Sequence, residues 1–212
     1  MLGKTKRNPF AIVAILCLMA PPQALAEPTS TDQSIQERAQ KKPNSGLIFM
    51  EAKLFRQGSK TPDICQRIWV TVASASADRG QFITQSSPTL FGHASDSSTY
   101  GGWAVLNEGT YIVSSIWCEA AGGRRLIGPF AEFVVRKGQV LNLGRLVIEY
   151  TPPSFHLFPS DARSPGVWRV EDLSAEAVTT LTKRAPAAFA KATKHYMSPV
   201  AVKPKPAATA PN

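Results

Sequence analysis

Residues 102–150 read GGWAVLNEGTYIVSSIWCEAAGGRRLIGPFAEFVVRKGQVLNLGRLVIEY. Apolar and β-branched residues arrive in short runs, and each run is cut by a glycine or a charged turn. That pattern is how consecutive antiparallel strands joined by short loops are written. Both faces of residues 110–118 carry apolar side chains, so this strand is expected at the centre of a sheet, covered on both sides. In residues 130–136, Ala131, Phe133 and Val135 face one way and Glu132 and Arg136 the other. The last long strand changes phase between Leu143 and Leu146, which places a β-bulge at Gly144-Arg145.

Upstream, Ile48, Met50, Ala52 and Leu54 share one face of a two-residue period, with Glu51 and Lys53 on the other. That is a half-buried strand. Ile68, Val70 and Val72 then alternate with Arg67, Trp69 and Thr71, and Phe82-Ile83 suggests a further short strand. Residues 85–102 form a long Ser/Thr/Gly loop, of a length that is often functional. The expected fold is all-β: an antiparallel sandwich over residues 46–151 with a short C-terminal helical extension.

The first residues bear on compartment. Lys4, Lys6 and Arg7 precede an apolar run over residues 10–20, and Ala24 and Ala26 stand at −3 and −1 before Glu27. These are the parts of a secretory signal peptide over residues 1–26. The run is shorter than the roughly 20 residues a membrane span needs. The product is expected outside the cytoplasm, periplasmic or extracellular, without a transmembrane span. Cys65 and Cys118 then remain, and two cysteines in an oxidising compartment pair most often. The bond would close a loop of 54 residues, from 65 through 118.

The formal net charge of +9 is unevenly spread. Residues 27–176 hold fifteen Lys/Arg and fifteen Asp/Glu, whereas residues 177–212 hold Lys183, Arg184, Lys191, Lys194, Lys203 and Lys205 and no acid. The globular part is therefore neutral and the C-terminal arm basic. An exported chain with that distribution points to an envelope protein, a glycan or an anionic lipid surface as partner, not to nucleic acid.

Outside the strands the composition shifts. Residues 27–45 are polar with almost no large apolar residue, which reads as a flexible leader; a helix over residues 33–40 would be marginal alone. Four prolines mark residues 152–173 as an irregular extension. Ser174 heads a capped helix, and Pro186 is placed to begin a second, so residues 174–197 are expected as short helices. In the second, Phe189, Ala192, Thr193 and Tyr196 would share a face, opposite Lys191, Lys194 and His195. Residues 198–212 are a Lys/Pro tail expected to be extended and disordered.

With the strands placed, Leu106-Asn107-Glu108-Gly109-Thr110-Tyr111-Ile112-Val113 resembles the L-x-x-G-x-Y-x-V turn and strand of secreted prealbumin-like, carboxypeptidase regulatory-like modules. Residues 135–144 are similar to their closing hairpin. The resemblance implies an immunoglobulin-like or prealbumin-like sandwich serving as scaffold or binding module, and it carries no functional residue over.

No nucleophile, metal or phosphate-loop motif is present. His93 and Asp96 in the long loop are the one pair that would support an alternative, an envelope hydrolase or glycan-processing enzyme. Gly122-Gly123-Arg124-Arg125 reads as a hairpin tip. Trp69, Trp103, Trp117 and Tyr111 would line a glycan platform if they shared an open face. The leading expectation is a non-catalytic secreted envelope module without cofactor or metal, whose basic arm contacts an acidic surface or partner.

Overall fold

The structure, a computed structural model, describes residues 28–65, 67–74, 90–93, 101–119, 124–151 and 166–200. Helix α1 (Ser30–Gln40) comes first. Nine strands follow: β1 (Ser45–Arg56), β2 (Arg67–Ser74), β3 (Leu90–His93), β4 (Gly101–Asn107), β5 (Gly109–Glu119), β6 (Arg124–Ile127), β7 (Ala131–Val135), β8 (Val140–Tyr150) and β9 (Val167–Glu171). Helices α2 (Ala175–Arg184) and α3 (Pro186–Phe189) precede two short strands, β10 (Thr193–Lys194) and β11 (Ser198–Pro199). The body is all-β, in two sheets with few helices. In the first sheet β4, β1 and β8 lie side by side, and β9 and β10 share the far edge of β8. In the second, β3, β2 and β5 lie side by side, β6 and β7 share the far edge of β5, and β11 extends β7.

The sandwich interior follows the alternation in the sequence. Ile48, Met50, Ala52 and Leu54 of β1 meet Ile68, Val70 and Val72 of β2, and all seven are buried in one core with Phe133, Val135 and Leu146. Apart from Ala52, each such side chain contributes about 1.5–3 kcal/mol on leaving water. The expected bulge is present: Phe49 pairs with Asn142 and Glu51 with Arg145, so β8 carries one extra residue there. Gly144 adopts φ +79° at that point, and a Cβ on it would lie 2.4 Å from the Glu171 carbonyl oxygen. Only glycine fits both demands.

The expected antiparallel sandwich needs correction in its first sheet. β1 and β8 run parallel over nine residue pairs, and β10 also runs parallel to β8. A parallel pair so far apart in sequence leaves no local signature, because its strands are not joined by a turn. β1 is likewise not half-buried. Its second face, with Leu47, Phe49 and Glu51, lies under the three helices, where Ile35, Leu173, Ala177, Leu181 and Ala185 complete a second core. Phe189 meets Phe49 edge-on at 5.1 Å between ring centroids. β5 is central to its sheet, as expected, but its outer face is open at Trp117, which is 48% exposed.

The segments outside the sandwich differ most. Residues 27–45 were expected as a leader, yet they hold α1, whose buried Ile35 anchors it to the second core. One apolar residue is too little to stabilise an isolated helix, but it suffices once a sheet face is waiting. The Pro-rich extension contains β9, antiparallel to β8 over residues 145–149. Ser174 and Pro186 begin α2 and α3 as expected, but α3 ends at Phe189. The chain then joins the open stretch of β8 as β10 and crosses to β7 as β11, with Met197 buried between the sheets. Phe189, Ala192, Thr193 and Tyr196 therefore share no helix face. Edge pairing satisfies backbone groups that a third helical turn would have left facing bare strand edges. The expected disordered tail thus begins with β11, and Val200 donates its N–H to the Phe130 carbonyl. The expected loop over 85–102 contains β3, paired with β2, and the start of β4; the signal peptide, the Phe82-Ile83 strand and residues 201–212 lie outside the described residues.

Cys65 and Cys118 are bonded, with Cα atoms 5.3 Å apart and both side chains buried. The bond ties the connector that leads into β2 to β5, the neighbour of β2 in the second sheet. Thiol counting on native chain beginning at Glu27 is expected to find no free thiol. A Cys65→Ala/Cys118→Ala variant is expected to lose about 4 kcal/mol in urea unfolding; a loss below about 1 kcal/mol would show that the bond does not constrain the unfolded chain.

Candidate functional site

Among the described residues, those singled out in the sequence do not converge on one centre. His93 lies on β3, with its backbone in register with Arg67, and Asp96 and His156 fall outside the described residues. Among the described residues no group of three His, Cys, Asp or Glu side chains is placed to hold a metal ion. The aromatics separate. Trp103 faces the helical layer, with the Arg38 guanidinium 5.1 Å from its ring centroid. Tyr111 stacks on Phe133 at 5.7 Å. Only Trp69 and Trp117 stand opposite each other, on the outer face of the second sheet, with Arg125 next in register. No helix described here is long and apolar enough to cross a membrane.

The arm residues divide as well. Lys194 is an exposed partner of Asp172, which accepts from its ammonium at 2.8 Å and from the Tyr196 hydroxyl. The Lys194 ammonium beside it, with Tyr196, holds the Asp172 carboxyl below its ordinary value, and Asp172 in turn raises Lys194. Lys194 is thus committed within the chain. Lys203 and Lys205 lie outside the described residues. Lys183, Arg184 and Lys191 are exposed and make no ion pair among the described residues.

Lys183 and Arg184 are positioned by a junction of all three helices. Thr29 caps α1, its hydroxyl accepting the Asp32 N–H at 3.2 Å while the Asp32 carboxylate accepts the Thr29 N–H at 3.1 Å. The same carboxylate accepts from the N–H groups of Ala188 at 2.9 Å and Ala187 at 3.4 Å, at the start of α3. The Thr29 hydroxyl donates to the Arg184 carbonyl at 2.5 Å, in the last turn of α2. Two side chains thereby tie α1 to both other helices. Burial raises the Asp32 carboxyl, but the hydrogen bonds from Thr29, Ala188 and Ala187 together outweigh it and hold the group below its ordinary 3.8.

This junction sets the C-terminal turn of α2 beside the first turn of α1. Between them lies an open hollow lined by Thr29, Ser30, Thr31, Thr179, Thr180, Lys183 and Arg184. Five hydroxyl side chains and two cations line it, and no carboxylate does. Thr29 and Thr179 donate their hydroxyl protons to the Arg184 and Ala175 carbonyls, which leaves Ser30, Thr31 and Thr180 beside the two cations as donors toward an anion. A second buried carboxylate holds the layer from beneath. Glu51, 1% exposed, accepts from the Ser174 N–H at 2.8 Å and the Ser174 hydroxyl at 3.0 Å. Sequence reading placed Glu51 on an open face and overlooked Asp32, although Thr29-x-x-Asp32 spells a capping box. A carboxylate ladder flanks β8: Glu171 accepts from Arg145 at 2.5 Å and from Arg169 at 2.6 Å, and Glu149 accepts from Arg169 at 2.7 Å.

No protein-family model and no curated protein matches this chain. Among solved structures, half of the chain is similar to 14% of a leucine-rich repeat protein from Bacteroides thetaiotaomicron VPI-5482, at 15% identity and a TM-score of 0.32. A likeness that slight carries no argument about fold or function.

The Asp32 junction makes an acid-side prediction. Its folded-state carboxyl lies below the unfolded one, so its stabilisation is fully present above the unfolded value and is lost as pH falls through the folded value. Asp32→Ala is expected to cost about 1–3 kcal/mol at neutral pH by orphaning buried N–H groups. The difference from the parent chain should shrink below about pH 4 in thermal unfolding, since 3.8 is where the free carboxyl titrates. A penalty that stays constant down to about pH 2 would contradict this assignment.

Proposed function

We propose that this chain is a non-catalytic, exported binding module of the cell envelope, periplasmic or extracellular. It is a sandwich of the immunoglobulin-like or prealbumin-like kind, and it meets an anionic surface through the basic edge of its helical layer. The observation that carries this reading is the hollow between α1 and α2. There Lys183 and Arg184 stand exposed beside hydroxyl side chains, with no carboxylate lining the space. Supporting it, six cations and no acid follow Glu176 in the sequence. Lys194 is held by Asp172, so the contact rests on Lys183, Arg184 and Lys191, with Lys203 and Lys205 in the tail beyond.

The physics is additive and salt-dependent. Near an anionic membrane each Lys or Arg contributes about 1 kcal/mol, and less as ionic strength rises. A handful of such contacts gives reversible association rather than an anchor. A glycan or protein partner would have to present comparable negative charge at the same edge.

Point substitution is the appropriate probe, because ending the chain before α3 would also strip β10 and β11 from the sheets. Lys183→Glu/Arg184→Glu is expected to weaken co-sedimentation with phosphatidylglycerol vesicles about 30-fold or more at low salt. Binding by the parent chain should also fall steeply as salt is raised. Equal binding by both proteins, or binding indifferent to salt, would reject the anionic-surface reading.

A further inference from the structure

A different opening lies on the other side of α1. A cleft of about 290 Å³ runs between α1, α3 and the ends of β1, β4 and β8. Its walls include Ile35 and Ala39 of α1, Leu47 of β1, Val105 of β4, Val140 of β8 and Ala188 of α3. Water inside such walls finds few hydrogen-bonding partners, so an apolar occupant displaces it readily. An apolar cavity of about 150 Å³ accepts a six-carbon ring, so this cleft has room for roughly ten carbon atoms.

The charged groups of the cleft are Asp32 and Lys191, and they are not equivalent. The Asp32 carboxylate is committed to the N–H groups of Thr29, Ala187 and Ala188. Lys191 is exposed and makes no ion pair among the described residues. One uncommitted cation beside an apolar space is complementary to an anionic head on an apolar chain. We propose that this cleft binds a free linear monocarboxylate of about eight to ten carbons, its chain against the α1–β1 wall and its carboxylate at Lys191. The proposal shares Lys191 with the anionic-surface reading but needs neither a membrane nor the α1–α2 hollow.

Calorimetric titration of the full chain with octanoate, decanoate, tetradecanoate and decanol tests it. Affinity is expected to tighten about fourfold per methylene up to roughly ten carbons and then to level off. Lys191→Glu should weaken decanoate about tenfold and leave decanol unchanged. Ala39 is exposed on α1, so Ala39→Trp fills the cleft from outside the core and should abolish binding of both ligands at an unaltered unfolding midpoint. Absence of saturable decanoate binding overturns the proposal. So does affinity that keeps climbing beyond ten carbons, a Lys191→Glu effect shared by acid and alcohol, or full binding by Ala39→Trp. Vesicle co-sedimentation by Ala39→Trp should match that of the parent chain, which keeps a failure here distinct from a failure at Lys183 and Arg184.

Discussion

The parallel ladder between β1 and β8 is the constraint on which the rest of the structure depends. It runs from Leu47 opposite Val140 to Arg56 opposite Tyr150, with a single bulge at Gly144. Parallel strands are found almost wholly in sheets with both faces covered. One face here is supplied by the second sheet, which contributes Ile68, Val70, Val72, Val113 and Ile116 to the shared core. The other face, carrying Leu47 and Phe49, has to be covered from outside the sandwich. That task falls to the two ends of the described chain, α1 and the α2–α3 pair.

Covering a sheet with short, weakly apolar helices requires more than hydrophobic contact. α1 offers Ile35, and α2 offers Ala177 and Leu181. The approach must be close, and Gly101 permits it, since a Cβ there would lie 3.3 Å from Leu181. Two buried carboxylates add direction. Glu51 of β1 receives the Ser174 N–H at the head of α2, and Asp32 of α1 receives the first N–H groups of α3. Each charge is offset by backbone donors that would otherwise be unpaired, which is the condition under which a buried carboxylate stabilises rather than disrupts.

The same arrangement generates both surfaces to which a role is assigned. Docking α1 against α2 brings Lys183 and Arg184 beside the hydroxyls of Ser30 and Thr31. Docking α1 against α3 leaves the apolar cleft with Lys191 beside it. Neither surface exists in the sandwich alone. The strap of β10, Met197 and β11 closes the remaining side, holding residues 193–199 to both sheets.

The long strands, their alternation and the bulge were legible in the sequence because they are set by interactions between near neighbours, whereas β3 falls inside the expected 85–102 loop and β9 inside the expected irregular extension. A two-residue alternation puts Ile48, Met50, Ala52 and Leu54 on one side whatever lies beyond. A phase change at Gly144 signals an extra residue without reference to its partner. The helix starts at Ser174 and Pro186 were legible for the same local reason. What only the tertiary structure decided is how distant pieces meet: the parallel pairing of β1 with β8, the burial of Glu51, and the edge strands at 193–194, expected as helix, and at 198–199, expected as tail. It also turned a polar leader into α1, since one buried isoleucine and one capping carboxylate acquire their value only when a sheet face and another helix N-terminus are already there. The basic arm shows the division most plainly. Its charges were countable along the chain, but which were spent internally, as Lys194 is on Asp172, and which stayed exposed was settled by packing, because an ion pair depends on distances in space and not on spacing in sequence.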